Sequence, residues 1–278
     1  MLEAIIASLG YAGGVVVDKI ILSKYRVPLC RFVPLLFIWL AVITAIFVPL
    51  WGKIDLSQIA TPKYILLFLG MILVAAVWNV FYYRGIQQEQ VHEFELIMML
   101  SPLITIIFAE IFLPAERSWP VFIAGTIASL TLIATRFRYH HLRISAATWQ
   151  TILAMVLMSG ESILIKNLLQ VMSPVTLYFV RTTVIAIVFL IIYRPKIFDM
   201  ARNAYALTIF SAIFGVVQMV LKFYGFASLG VIETTLILVL GPFLVYFFST
   251  YYFKEKLFKR DVFAAAVVVA CILYVTFR

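Results

Sequence analysis

Long apolar runs, separated by short polar breaks, fill this chain from one end to the other. A helix needs about 20 apolar residues to cross the ~30 Å hydrocarbon layer of a membrane, and most of the runs have about that length. Barrel strands would instead show about ten residues of alternating polarity. The runs therefore predict an all-α membrane protein with ten transmembrane helices, at about 2–22, 29–51, 64–85, 91–114, 119–136, 148–169, 174–193, 205–227, 231–253 and 260–277.

Charge is scarce and unevenly placed. Only 13% of the residues are charged and 64% are hydrophobic, which is far from the composition of a soluble domain. The formal net charge of +9 lacks the basic and aromatic interleaving of a nucleic-acid groove, so no nucleic-acid partner is expected. Most lysines and arginines fall in the loops that follow odd-numbered spans. The positive-inside rule then predicts a multi-pass protein of the cytoplasmic (inner) membrane with both termini outside.

The two halves of the chain repeat each other. One repeat covers residues 1–138 and the other covers residues 145–278, with a basic stretch at the joint. Five spans per repeat is an odd number, so the second copy must enter the membrane from the opposite side. This predicts two inverted five-helix repeats, an arrangement typical of transporters. The matches are Tyr64 with Tyr205, Gly85 with Gly225, Ser101-Pro102 with Gly241-Pro242, and Lys19 with Lys166.

Two prolines fall inside predicted spans. Pro102 and the Gly241-Pro242 pair lie near the centres of spans four and nine, where proline removes an internal hydrogen bond. We expect these helices to be kinked or locally unwound. One interpretation is a packing kink, and the other is a discontinuous helix that lines a substrate cavity.

Glu161 and Arg181 are charged residues in the middle of consecutive predicted spans. An intramembrane charge costs at least about 2.5–3.5 kcal/mol on insertion scales, so each needs a partner or a wet cavity. They are candidates for binding a zwitterionic substrate or for changing protonation during transport. A structural ion pair between spans six and seven is the alternative.

Polar and aromatic side chains mark two further helix faces. Gln218 and Lys222 share one face of span eight, and the inverted arrangement would set it opposite a face of span three. Lysine could bind a carboxylate or phosphate and aromatic rings could stack on a substrate, although snorkelling and an interfacial belt are the alternatives. Lys19 and Lys166, near span ends, suit snorkelling better than substrate contact. The candidate residues on span three are Trp78, Asn79, Tyr82 and Tyr83.

Short motifs in both halves resemble the drug/metabolite transporter superfamily, and within it the ten-helix EamA-type carriers. Gly13 is followed six residues later by Lys19, and Gly160 by Lys166. The mid-helix prolines are followed by Glu116 and Glu255, like the family's end-of-helix signature. The resemblance implies an alternating-access carrier of metabolites, often an exporter. It also implies cytoplasmic termini, against the charge count.

The sequence as a whole favours a secondary active transporter, and within that class an exporter of small polar metabolites such as amino acids. The alternatives are a proton-coupled multidrug efflux carrier, in which Glu161 would carry the proton, and a non-transport membrane protein that handles lipids or assists assembly. Zinc, phosphate-loop and hydrolase motifs are missing, so neither an enzyme nor a cofactor nor a metal is predicted. The expected partners are a small-molecule substrate, the lipid bilayer and a proton as coupling ion, in a monomer or dimer.

Overall fold

The computed structural model describes residues 1–88, 94, 97–98, 100–137, 146–195, 200–242, 244–245, 248 and 259–276. These residues form an all-α fold. Its helices are α1 (Leu2–Lys19, continued by a π-helical turn, Ile20–Lys24), α2 (Leu29–Trp51), α3 (Leu56–Ile59), α4 (Pro62–Gln88), α5 (Ser101–Phe112), α6 (Trp119–Phe137), α7 (Ala146–Leu168), α8 (Pro174–Tyr193), α9 (Arg202–Ser228), α10 (Val231–Leu238) and α11 (Lys259–Thr276).

Helices of the first half pack mainly against helices of the second half. α1 lies along α9, α4 along α7, α2 along α8, and α6 along α11. In the α2–α8 pair, Phe37 in the first half of α2 contacts Phe189 near the end of α8, while Gly52 at the end of α2 lies next to Thr176 at the start of α8. These two helices therefore run antiparallel.

Among the residues that the structure describes, six helices are long and apolar enough to cross a membrane. They are Leu2–Lys24, Leu29–Trp51, Pro62–Gln88, Thr148–Leu168, Pro174–Tyr193 and Arg202–Ser228. Shorter apolar helices follow at Ser101–Phe112, Trp119–Thr131 and Val231–Pro242. This confirms a multi-pass helical protein, while ten spans and inversion of the repeats stay predictions.

The prolines of predicted spans four and nine coincide with irregular helices. Pro102 lies in the first turn of α5, and this helix begins at Ser101. In predicted span nine, the helix is interrupted by a turn at Val239, just before Gly241 and Pro242. A proline cannot donate the hydrogen bond that a continuous helix requires, and here the irregularity accompanies it.

Helix α4 has an outward apolar face and an inward polar one. Leu66, Leu69 and Leu73 are 58–70% exposed, and their spacing places them on one side of the helix. On the other side Trp78 and Asn79 are buried. A helix of a soluble protein would instead expose its asparagine and bury its leucines. The pattern of α4 is stable where hydrocarbon surrounds the protein.

Glycines allow α1 and α9 to approach closely, as small residues do in membrane helix pairs. A Cβ added at Gly10 would lie 3.0 Å from the backbone nitrogen of Gln218 and 3.1 Å from the carbonyl oxygen of Phe214. At Gly14 the nearest atom would be the Phe214 Cβ at 3.7 Å, an ordinary contact. The backbone contact at Gly10 therefore sets the distance between the two helices.

Gly10→Ala is expected to destabilise the protein by about 1–3 kcal/mol relative to Gly14→Ala, because the added methyl group pushes on a backbone that cannot move aside. Both variants gain the same helix propensity, so their difference isolates the packing effect. Thermal midpoints of the two variants purified in detergent provide the measurement. Equal midpoints would show that α1 and α9 adjust freely.

Candidate functional site

A cavity with polar side chains lies among helices of both halves. Its open space, including its mouth, is about 1200 Å³, which is enough for a small metabolite. Apolar residues such as Leu36, Phe37 and Leu40 form much of the wall. The charged and amide side chains that line it are Asp18, Asn79, Glu161, Arg181, Gln218 and Lys222.

Glu161 and Arg181 form a buried ion pair in the cavity wall. The Arg181 Nε lies 2.6 Å from Glu161 Oε1, and its Nη2 donates a 3.2 Å hydrogen bond to Oε2. The Trp78 indole Nε1 donates to the same Oε2 at 2.6 Å. Both charged side chains are at most 3% exposed. The pair joins α4, α7 and α8, and each charge is neutralised by the other.

Lys222 brings a second positive charge to the cavity. Its Nζ lies 5.2 Å from the centroid of the Phe226 ring. Within the part of the chain that the structure describes, this ammonium has neither a hydrogen-bond acceptor nor a carboxylate partner. Gln218, one turn earlier on α9, lines the same wall. Lys222 is thus placed to take an anionic group from a solute.

Aromatic rings of α4 form the wall beside the ion pair. Trp78 and Tyr82 meet edge to face with centroids 5.9 Å apart, and Tyr82 and Tyr83 do so at 5.1 Å. The Asn79 amide donates to the Ala75 carbonyl at 2.8 Å. The cavity thus brings together all eight substrate-site candidates from the sequence, together with Pro102 and Pro242, while Gly241 packs on Tyr11 outside the lining.

Sequence reasoning missed Asp18. This carboxylate is 5% exposed, lines the cavity, and accepts a hydrogen bond from the Ser211 hydroxyl of α9. Asp18 is not among the candidate residues drawn from the sequence. Its position within the predicted span 2–22 could have identified it, because an acidic residue inside a transmembrane span is a functional candidate by default.

The two repeat lysines lie outside the cavity lining, at opposite ends of the molecule. The Lys19 Nζ donates to the Ile86 carbonyl at 2.7 Å, and the Lys166 Nζ donates to the Phe226 carbonyl at 2.6 Å. Ile86 is near the end of α4, whereas the start of α4 contacts Gln170, close to Lys166, through Tyr64. At 1.5 Å per residue, α4 is about 40 Å long and separates the two lysines.

Glu116 of the first half ties together residues of the second half. Its Oε2 accepts a 2.6 Å hydrogen bond from the Val231 backbone nitrogen, and its Oε1 lies 3.0 Å from the Lys166 Nζ. Gly230 has a φ of +91°, and a Cβ there would lie 2.9 Å from the Glu116 carboxylate. Only glycine suits both conditions. We call this cluster of Glu116, Lys166, Gly230 and Val231 the cross-half tie.

A second connection between the halves lies at the same end. Ile54 and Met172 form an isolated antiparallel bridge. The Ser173 backbone nitrogen donates to the Lys53 carbonyl at 2.8 Å, and the Asp55 nitrogen donates to the Val171 carbonyl at 2.9 Å. The loop after α2 and the loop after α7 therefore close together where the cross-half tie is found.

Fold and cavity together define an integral multi-pass helical membrane protein with a polar interior. The family whose pattern matches residues 1–137 and 145–277 is the EamA-like transporter family, and the chain belongs to it. The expected drug/metabolite-transporter resemblance is thereby confirmed, and this is a family of transporters. The matched ranges agree closely with the two sequence repeats.

Comparison with other proteins supports the fold. No curated protein matches this chain in sequence. A solved structure described as "Crystal structure of protein" is similar with a TM-score of 0.71 and 14% sequence identity. The similarity covers 96% of this chain and 95% of the other. At this identity the match indicates a shared architecture alone.

Proposed function

We propose that this protein is a secondary active transporter that exports small polar metabolites such as amino acids. The observation that carries the proposal is the Lys222 ammonium, which none of the described residues pairs, in a large cavity where Glu161 already neutralises Arg181. An unpaired buried charge is costly, and a solute that supplies the opposite charge relieves this cost.

The cavity offers different groups to different parts of a solute. Lys222 takes a carboxylate or phosphate, and Gln218 offers an amide within one helical turn. The rings of Trp78 and Tyr82 offer an apolar and weakly cation-attracting surface. Solutes that combine an anionic group with a small apolar or cationic part fit this arrangement best.

The arrangement of the two halves supports alternating access. α2 and α8 hold equivalent places in the two repeats and run antiparallel, which supports inversion. The cross-half tie and the Ile54–Met172 bridge close one end. Breaking these contacts while the halves rock would open the cavity at that end. A polar cavity at the interface of two inverted repeats is the arrangement that such rocking requires.

Energy for transport would come from a proton gradient or from the gradient of the solute. We place the protein in the cytoplasmic membrane, as a monomer or dimer. The alternative of a multidrug carrier with Glu161 as its proton carrier is less well supported, because Arg181 and Trp78 occupy both carboxylate oxygens. A non-transport role would not explain the polar cavity, nor a cation in it that has no partner in the described part of the chain.

Lys222→Gln is expected to lower solute counterflow about 10–100-fold, because a charge-assisted hydrogen bond to the solute contributes about 1.5–3 kcal/mol. The measurement is exchange of labelled amino acids, nucleosides, sugars and phosphate esters in vesicles that contain the purified protein. Lys222→Arg should retain part of the exchange.

Lys63→Gln is the matched control, since the Lys63 side chain is exposed and lies only over the ring of Tyr64. It should exchange solute as the original protein does. Failure of the original protein to exchange any of the four solute classes would contradict the proposed function.

A further inference from the structure

We propose that Asp18, with Ser211, is the proton-binding site that couples transport to a proton gradient; this inference rests on the transport function proposed above. In the arrangement seen here the carboxyl group holds a proton. When water enters this part of the cavity, the O–H bond breaks, the proton passes to water, and a carboxylate remains. Protonation from the other side of the membrane restores the acid.

Burial and sparse pairing carry the inference. Asp18 is 5% exposed and its hydrogen-bond partner Ser211 is 2% exposed. The Ser211 hydroxyl donates to Oδ1, and the described residues supply no donor for Oδ2 and no cation for the carboxyl group. A lone carboxylate in a low-dielectric interior is strongly disfavoured, whereas a neutral acid is tolerated.

The surrounding helices present few charges to this group. Lys19, the next residue on α1, is directed to the Ile86 carbonyl. α4 contributes the phenol of Tyr83, which lines the same cavity. The cavity-lining residues of α2 are Leu36, Phe37 and Leu40, and α10 contributes Thr235. Asp18 is therefore neutralised most simply by a proton.

Glu161 is the other buried carboxylate of the cavity, and its surroundings are opposite. It has a guanidinium and an indole N–H on its two oxygens, and both donors stabilise the ionised form. Both Glu161 oxygens are therefore already engaged by donors from α4 and α8. The contrast between the two carboxyl groups assigns the proton to Asp18.

The proton site is separate from the proposed solute site. Ser211 and Lys222 are eleven residues apart on α9, which corresponds to about 16 Å along the helix. Asp18 also lies next to Lys19, at the end of the molecule away from the cross-half tie. A proton and a solute can thus occupy one cavity at different depths, and each can affect how easily an end opens.

Infrared spectroscopy at varied pH tests the site without any solute. The protein in lipid vesicles should show the carbonyl stretch of a buried protonated carboxyl group, and the band should decrease as pH rises. Asp18→Asn should remove the band, Ser211→Ala should shift its frequency, and Asp18→Glu should retain a band with altered titration. Asp55→Asn, at an exposed helix cap, should leave it unchanged.

Loss of the band in Glu161→Gln with its persistence in Asp18→Asn would overturn the assignment, as would complete absence of the band in the original protein. Vesicle transport adds an independent readout. A pH gradient should stimulate amino-acid counterflow in the original protein, and Asp18→Asn should abolish the stimulation whatever its absolute rate. Unchanged stimulation would overturn the inference, whereas failure of all exchange would overturn the proposed function and leave the infrared result to decide the proton site.

Discussion

Replacing Arg181 by methionine is expected to lower the free energy of unfolding by about 3–5 kcal/mol. The substitution leaves Glu161, which is 1% exposed, as an uncompensated charge in the membrane interior. Methionine occupies a similar volume, so the loss reflects charge and not a cavity. Thermal and denaturant unfolding of the purified protein in detergent provide the measurement.

The double variant Glu161→Met with Arg181→Met should recover most of this loss, because removing both members of a buried pair also removes the cost of burying them. Trp78 would still lack an acceptor for its indole N–H, so a deficit of about 1–3 kcal/mol should remain. Arg117→Met, at an exposed position between α5 and α6, is the control and should unfold like the original protein. Equal stability of Arg181→Met and the original protein would show that Glu161 finds another partner.

The double variant also distinguishes a structural role of the Glu161–Arg181 ion pair from a role in substrate binding. A purely structural pair predicts that the stable double variant still exchanges solute. A substrate-binding pair predicts that it folds but exchanges none. The sequence left both interpretations open, and the geometry alone is compatible with both because the pair is at once buried and part of the cavity wall.

Helix boundaries were the most predictable part of the fold. The runs at 29–51 and 174–193 have the same bounds as α2 and α8. Both helices are continuous apolar stretches that begin next to a proline, which fixes where they start. Apolar length is a local property of the sequence, so no knowledge of the tertiary contacts was needed.

Contacts between distant residues were not predictable in the same way. The sequence indicated an end-of-helix signature at Glu116 and favoured snorkelling for Lys166, but the two residues form an ion pair across the halves. Asp18 and Ser211 are 193 residues apart, and only the packing of α1 on α9 brings them together. A pattern within one helix shows which side chains share a face, but not which helix that face meets.

Glu116→Gln is the second variant with a large expected effect. Its carboxylate accepts from the backbone nitrogen of Val231, at the start of α10, and pairs with Lys166, so it stabilises the closed end by a charge-assisted contact at a helix N-terminus. Weakening this contact by about 1.5–3 kcal/mol would raise the population open at that end about 10–100-fold. Lys166→Gln should shift the population in the same direction.

Labelling of a cavity cysteine measures this shift. Met219→Cys, in a background with Cys30 and Cys271 replaced by serine, lines the cavity and reacts with a membrane-impermeant maleimide only when an end is open. Glu116→Gln should raise the labelling rate about 10–100-fold from the side where α10 begins, and leave the rate from the other side equal or lower.

Glu110→Gln is the matched control for the labelling experiment. The Glu110 carboxylate accepts from the Ser118 nitrogen, so it stays within the first half while lying at the end of α5 close to Glu116 in sequence. A like increase in Glu110→Gln would mean that any lost carboxylate at this end loosens the protein. An increase confined to Glu116→Gln and Lys166→Gln would identify the cross-half tie as the contact that holds this end closed. These two variants weaken a contact between the halves, whereas Glu110→Gln weakens a contact within the first half.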